Sequence, residues 1–333
     1  MKYLFIVFQL LLFHSVFSQV KEQAEVDRNS ALIGYYNLDE LHNKLAIKSY
    51  SDSEKVRSFY YWITQHISYD VSEFHWSGYV APRHLQSTDS LERVKVHLND
   101  YGAYVLKRKK GVCEGYATIF KLLCDRSKIE CVIIHGCGKT DVSSIGQSLT
   151  ENHAWNAVKI KGKWLLIDVC WASGYCDNMV TKFTKQLNEN YYLTPPDRLI
   201  YDHYPTDTQW TLLVIPPSKK EFENFPVLFS RKNKVKIDSS SLNGNVIAHL
   251  GDTLILKVEI ISETITQGNY IPCIDVYDEQ GEMLPRSTNS TNQTFNKDGN
   301  KLTYTYCIGS KNSCRLYLAY GSEYVAAYRL QVK

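Results

Sequence analysis

Lys110-Gly111-Val112-Cys113-Glu114-Gly115-Tyr116-Ala117 is the stretch that decides the fold. Immediately after it, Tyr116, Ile119, Phe120 and Leu123 recur at three- and four-residue intervals, the spacing of one buried helical stripe. A helix therefore begins near Cys113, and Gly111 lets the chain turn tightly just before it. Backbone N–H groups at a helix N-terminus favour a thiolate, which lowers the pKa of the sulfur and makes it a nucleophile. Glu114 opposes this where its carboxylate lies close. The helix end alone is then not enough, and a histidinium partner is required.

The partner is sought in Glu151-Asn152-His153-Ala154-Trp155-Asn156-Ala157-Val158, a strand-like run that leads to Lys161-Gly162, a two-residue hairpin turn. Lys163-Trp164-Leu165-Leu166-Ile167-Asp168 returns from it, and the returning strand is expected to run from Lys163 to Val169. If Ile160 faces Lys163, then His153 lies opposite Cys170 and Trp155 opposite Asp168. Directly opposed residues share a face and alternate residues return to it, so His153 and Asp168 point the same way. As diagonal neighbours they stand about 7–8 Å apart at the backbone, a gap an imidazole and a carboxylate bridge. Asp168 would then orient the ring, His153 would take the thiol proton, and Cys113 would attack a carbonyl carbon. The Cys113 backbone N–H offers one oxyanion donor, and the second is open among Trp76, Gln65 and His66.

Each of these residues alone has a plainer explanation. A buried cysteine is more often core than nucleophile, a strand histidine is usually a satisfied polar residue, and Trp155 and Trp164 serve packing. Order and context together change the balance: a cysteine at a helix start, then a histidine and an aspartate on one face of a hairpin.

Further helix is expected from Ser53 to Ile67, with Val56, Phe59, Tyr60, Ile63 and Ile67 on one face and Ser51 or Ser53 as cap. With strands at Val132–His135 and in the hairpin, residues 19–215 read as an α+β domain. Pro216-Pro217 and Lys219-Lys220-Glu221 mark a linker over 216–224. From 225 to 333 the character changes. Val235–Ile237, Thr253–Ile261, Tyr270–Tyr277, Leu302–Ile308, Arg315–Tyr320 and Val325–Val332 are rich in β-formers, with Gly, Asn, Asp and Ser between them. Six such strands suggest a β-sandwich of immunoglobulin-like architecture, without the cysteine spacing of a true immunoglobulin domain.

The start of the chain reads as an export signal. Met1-Lys2 is positive, Tyr3–Phe17 is largely apolar and shorter than a membrane span, and Val16-Phe17-Ser18 offers cleavage after Ser18. No later segment is apolar enough to span a bilayer. A net charge of +3 gives no reason to expect nucleic acid, and Lys107-Arg108-Lys109-Lys110 reads as solvated surface. Nine cysteines in an exported chain invite disulfides, although Cys124 falls on an apolar helix face, and the odd count leaves one unpaired. Zinc is disfavoured by the lack of a CxxC pair. Asn289-Ser290-Thr291 and Asn292-Gln293-Thr294 match glycosylation acceptors.

Gly-Val-Cys113-Glu-Gly-Tyr-Ala, Asn-His153-Ala-Trp-Asn-Ala-Val and Trp-Leu-Leu-Ile-Asp168-Val-Cys-Trp resemble the three motifs of the transglutaminase-like superfamily. The kyphoscoliosis-peptidase group is the most similar branch. Like it, this chain carries Tyr191-Tyr192-Leu193-Thr194-Pro195-Pro196, His203-Tyr204-Pro205 and Gln209-Trp210-Thr211-Leu212-Leu213. The resemblance covers roughly residues 50–215. It implies a papain-like α+β fold with Cys113 as nucleophile, His153 as base and Asp168 as orienter, and a protein or peptide substrate. No metal or organic cofactor is called for. Two classes of function follow: an enzyme forming a thioester at Cys113, with hydrolysis preferred over transfer to an amine, or a non-catalytic adhesion or scaffold protein binding through its β-sandwich. The Tyr191–Trp210 segment is expected to be an aromatic wrap rather than a cleft wall.

Overall fold

The computed structural model describes residues 23–77, 91–139, 141–177, 179–229, 235–237, 241–260, 272–284, 293–312, 314–320 and 323–333. The expected signal, Asn289 and Asn292 lie outside the described residues. Two compact units interleave along the chain: residues up to 135 together with 153–194 form the first, and 136–152 together with 195–333 the second.

In the first unit, α1 (Leu38–Leu45) and α2 (Asp52–His66) precede a short strand, β1 (Ser68–Tyr69). Ser51 caps α2: its hydroxyl accepts from the Glu54 N–H, and the Glu54 carboxylate accepts from the Ser51 N–H. α3 (Leu91–Arg108) leads to β2 (Lys110–Gly111), which pairs in parallel with β1 and sets Tyr69 beside Gly111. α4 (Cys113–Arg126) follows at once, then β3 (Cys131–Gly138), β4 (His153–Ile160) and β5 (Lys163–Ile167). Val56, Phe59, Tyr116, Ile119, Phe120, Leu123 and Val158 belong to one buried cluster. Burying a side chain of that size stabilises the fold by about 1.5–3 kcal/mol.

The β4–β5 turn is of the mirror-image type that matches strand twist, with positive φ at both Lys161 (49°) and Gly162 (78°). Ile160 faces Lys163 as expected, and the register holds through to Asn156 opposite Ile167. The returning strand ends two residues earlier than expected. Val169 does not continue it but opens a one-turn helix, α5 (Val169–Ser173), with Asp168 as its N-cap. The capping carboxylate outweighs the β preference of Val169. β6 (Gly174–Cys176) and β7 (Phe183–Lys185) form a hairpin after it.

One buried cation ties this unit together. The Arg57 guanidinium on α2 forks onto Asp27 (2.6 Å) and onto Glu189 (2.7 Å), and lies 4.7 Å from the Tyr192 ring centre. Tyr192 packs on Tyr60, and the backbone carbonyl of Tyr191 accepts from the Asp168 N–H (3.0 Å). Tyr191 and Tyr192 thus pack inward, as the aromatic wrap predicts.

In the second unit, Gly136–Gly138 at the end of β3 pairs with β8 (His203–Pro205). After α6 (Lys219–Glu223) come β9 (Val227–Leu228), β10 (Val235–Ile237), β11 (Asn245–Ala248), β12 (Thr253–Ile260), β13 (Pro272–Tyr277), β14 (Gln293–Asp298), β15 (Lys301–Cys307), β16 (Arg315–Tyr320) and β17 (Glu323–Val332). They form two sheets, ordered β10-β12-β15-β14 and β11-β17-β16-β13, with β9 also on β17. Alternate residues face inward: Leu256 and Val258, Leu302, Tyr304 and Tyr306, Leu316 and Leu318, Ala326, Tyr328 and Leu330. All belong to one apolar cluster, and the Tyr304 hydroxyl crosses between sheets to the Ala319 carbonyl (3.0 Å). β11 and β14 are strands that the sequence pattern did not announce. Among the described residues, no helix is long and apolar enough to cross a membrane.

Candidate active site

Cys113 is the first residue of α4 and is 3% exposed. Val112 precedes it as N-cap and contributes no side-chain hydrogen bond, so the helix end faces the sulfur without a competing acceptor. The glycines on either side serve close approach rather than turning. A methyl group at Gly111 would stand 3.0 Å from one Val105 methyl, and one at Gly115 would stand 2.9 Å from the other. The positive φ in the turn ahead of the helix is at Lys109 (53°). Val105 of α3 therefore seats the helix that Cys113 opens, which a larger residue at either glycine would push away.

His153 opens β4 and is 5% exposed. Its Nε2 lies 2.7 Å from Asp168 Oδ2, and the ring stacks on Trp171 at 4.8 Å between centres. The Cys113 thiol also acts on the imidazole, raising its pKa. With Nε2 held by the carboxylate, Nδ1 is the nitrogen left for the sulfur. Burial depresses the imidazole pKa, but the charge and hydrogen bond of Asp168, with help from Cys113, outweigh it and hold His153 at about 9.

Asp168 is fully buried and uses both oxygens. Oδ1 accepts from the backbone N–H groups of Cys170 (2.8 Å) and Trp171 (3.0 Å), and Oδ2 meets the imidazole. One carboxylate thus caps α5 and orients His153. The cap fixes the carboxylate, and α5 carries Trp171 against the same ring.

Several residues around the site make contacts that the sequence reading did not supply. Asn156, fully buried, donates through Nδ2 to the carbonyls of Ala117 on α4 and Val132 on β3, both at 3.1 Å. It fixes the helix of Cys113 against the strand of His153, and an amide inside a buried apolar strand was its only signal. Glu114, 2% exposed, is answered by His135 of β3, whose Nε2 lies 2.9 Å from its Oε2. The carboxylate that threatened the thiolate is thereby partnered. Tyr69 is raised above its ordinary pKa by burial first and then by the charges of Cys170, Cys113 and Cys176.

Of the suggested oxyanion donors, Gln65 is engaged with Thr64 (3.3 Å), and His66 bonds the Trp62 carbonyl (2.9 Å) while stacking on its indole. The Trp76 side chain lies outside the described residues. Cys113, Cys124, Cys131, Cys137, Cys170, Cys176, Cys307 and Cys314 are free thiols, so the disulfides expected of an exported chain are not formed among them in this structure.

Residues 39–169 match the model of the transglutaminase-like superfamily, a span that holds Cys113, His153 and Asp168. Mouse kyphoscoliosis peptidase is 36% identical over 189 residues, which cover 56% of this chain and 26% of that protein. Hillarin of Drosophila melanogaster is 26% identical over 204 residues, covering 57% of this chain and 22% of it. The chain spans about a quarter of the length of the curated relatives it matches. A crystal structure titled as a TGase aligns at 16% identity over 51% of this chain and 35% of that one, with a TM-score of 0.26 that is too low to bear on the fold. The family match and the related sequences fall on the segment built around Cys113, His153 and Asp168, so that segment is a transglutaminase-like domain similar to the one in kyphoscoliosis peptidase.

Proposed function

We propose that this chain is an exported enzyme that cleaves amide bonds of proteins or peptides through a thioester at Cys113. The observation that carries the proposal is the position of one imidazole, His153, between a buried carboxylate and the thiol of a helix-terminal cysteine. With its pKa at about 9, His153 is protonated at neutral pH and stands ready as the counter-ion of a thiolate. The sulfur attacks the amide carbonyl carbon, a C–S bond forms, and the carbonyl oxygen gains charge beside the N–H groups that open α4. His153 gives its proton to the leaving nitrogen as the C–N bond breaks. Water then attacks the thioester, its proton passes to His153, and the acid departs with the thiol restored. Hydrolysis is preferred over transfer to an amine because water is abundant. In this proposal Asp168 is a positioning residue and Cys113 and His153 are catalytic. The export signal ends at Ser18, and the two sheets of the second unit form a β-sandwich that binds the substrate protein or its surroundings.

A second proposal is a non-catalytic scaffold, and burial is the observation that favours it. Cys113, His153 and Asp168 are each at most 5% exposed, so a polypeptide reaches the sulfur only if the site opens. Iodoacetamide labelling of the native protein across pH, read by peptide mass spectrometry beside a His153→Ala variant, separates the two. Labelling of Cys113 well below the ordinary thiol pKa of about 8.5, slowed at least tenfold by the variant, is the expected result. A Cys113 that labels no faster in the wild type than in the variant leaves the scaffold.

A further inference from the structure

Residues 188–194 run beside Asp168 without the regular structure that would hold them there. They comprise a short 3₁₀ turn (Glu189–Tyr191) and a bend through Leu193 at φ 49°, a left-handed conformation that a leucine keeps only where its surroundings impose it. Backbone hydrogen bonds lay this segment along residues 166–172. The Asn188 N–H donates to the Ala172 carbonyl (2.8 Å), the Asp168 N–H to the Tyr191 carbonyl (3.0 Å) and the Thr194 N–H to the Leu166 carbonyl (2.8 Å). Tyr191 also meets Trp171 edge to face at 5.5 Å, and Trp171 in turn stacks on His153. One residue, Tyr191, therefore touches both groups that aim the imidazole: the backbone of its carboxylate partner and the indole on its face.

Arg57 grips the chain on either side of Tyr191. Its Nη1 and Nη2 fork onto the Glu189 carboxylate (both 2.7 Å), and the guanidinium stands 4.7 Å from the Tyr192 ring centre. A second fork, through Nε and Nη2, goes to Asp27, outside this segment (both 2.6 Å). The Glu189 side chain is about half exposed, so without the cation it would turn into water. A planar cation with donors in fixed directions holds a carboxylate and a ring face at once, which the point charge of a lysine does not. Buried ion pairs add little stability beyond apolar packing of the same volume, so what this cluster supplies is orientation.

We propose that Arg57 is a positioning residue of the active site: through Glu189 and Tyr192 it fixes Tyr191, and through Tyr191 it sets the Asp168 carboxylate and the Trp171 indole against His153. The inference rests on the catalytic reading of Cys113 and His153 and adds to it the residue that keeps their orienting carboxylate in place. Loosening the segment lets Asp168 and Trp171 drift from the ring. The carboxylate that outweighs burial at His153 then loses its hold, and the imidazole moves down from about 9 toward its ordinary value.

The test compares Arg57→Lys, Glu189→Gln and Asp27→Asn in the full chain, with a urea midpoint for each. One reading is the titration of His153 by NMR of the histidine side chains, assigned against His153→Phe. The other is iodoacetamide labelling of Cys113 at neutral pH. Arg57→Lys and Glu189→Gln should lower the His153 midpoint and slow labelling by about fivefold. Asp27→Asn, which takes the other fork from the same guanidinium, should lower the urea midpoint and leave both readings near the wild type. If both readings instead follow the urea midpoint whichever fork is lost, Arg57 is structural only and the proposal is overturned. A His153 midpoint that stays put in Glu189→Gln overturns it as well. Should Arg57→Lys fail to fold, the two carboxylate variants carry the comparison, since both side chains lie partly in water. The titration reads the His153–Asp168 contact whether or not Cys113 reacts. A wild type whose labelling ignores His153→Ala therefore removes the thioester chemistry, and an unmoved titration removes the role of Arg57, each by its own measurement.

Discussion

His153 and Lys139 are both buried cationic side chains, 5% and 2% exposed, yet their surroundings push their pKa values in opposite directions. Burial is the largest influence on each and disfavours the charge on each. His153 has a carboxylate in contact and ends above its ordinary value, at about 9. Lys139, in the second unit, donates through Nζ to the carbonyls of Phe222 and Phe225 (both 2.8 Å) and lies over the Phe222 ring. Asp202 and Glu223 pull its pKa upward without overcoming burial, and it falls to about 7. Carbonyl dipoles and a ring face therefore do not replace a formal charge in contact. A site meant to hold a cation at neutral pH needs the carboxylate, whereas Lys139 is a structural donor that serves nearly as well without its charge.

The largest test of this contrast is the pH dependence of stability. A lysine at about 7 folded against 10.5 unfolded leaves the unfolded chain binding more protons between those values. Stability should therefore rise with pH across that window, by on the order of 5 kcal/mol if Lys139 acts alone. His153, at about 9 folded against 6.5 unfolded, works the other way. Its stabilisation, on the order of 3 kcal/mol, is complete below pH 6.5 and is lost as pH rises through 9. Lys139→Met should abolish the rise and leave a net fall from pH 6.5 to 9, whereas His153→Phe should leave the rise intact. Urea unfolding at half-unit pH steps measures both. A Lys139→Met profile parallel to the wild type would break the comparison.

The next effect in size comes from Asp168, which serves a helix cap and an imidazole at once. Asp168→Ala leaves two helix N–H groups and a buried histidine without their acceptor, a loss of about 3–5 kcal/mol. Asp168→Asn keeps an oxygen for the Cys170 and Trp171 N–H groups and turns a neutral amide toward His153. Stability should then recover by more than half, while the imidazole loses the charge that raised it. Cys113 labelling at neutral pH should slow in both variants. If it slows in Asp168→Ala alone, the carboxylate matters for the cap and not for the charge.

The His153–Asp168 contact was legible because a hairpin turn fixes register, and register fixes faces. Lys161-Gly162 supplies both positive φ values, and five observed pairs follow from that one turn. The cap was not read, because Val169, Cys170 and Trp171 look like the continuation of a strand. An aspartate standing before them was the available signal for a helix start. The Gly111–Val105 and Glu114–His135 contacts join residues brought together only by packing, so no local pattern marks them. In the second unit the strands with apolar alternation were legible. Gln293–Asp298 escaped because an edge strand in contact with water needs few apolar residues.

Glu114 gives the smallest effect and the sharpest probe of what a neighbouring carboxylate does to the sulfur. It is nearly as buried as Asp168, but its partner His135 is about one-third exposed, so water screens the pair. Glu114→Gln keeps the shape and a hydrogen-bonding group toward His135, and should cost about 1 kcal/mol or less. Its influence on Cys113 carries more information. A carboxylate one residue along the helix raises the energy of a thiolate, so its removal should speed iodoacetamide labelling at neutral pH by a few-fold. His135→Gln, which leaves the carboxylate without its imidazole, should slow it. If neither variant changes the rate, the His135 partnership already cancels the field of Glu114 at the sulfur, and the reactivity of Cys113 rests on His153 and the helix end alone.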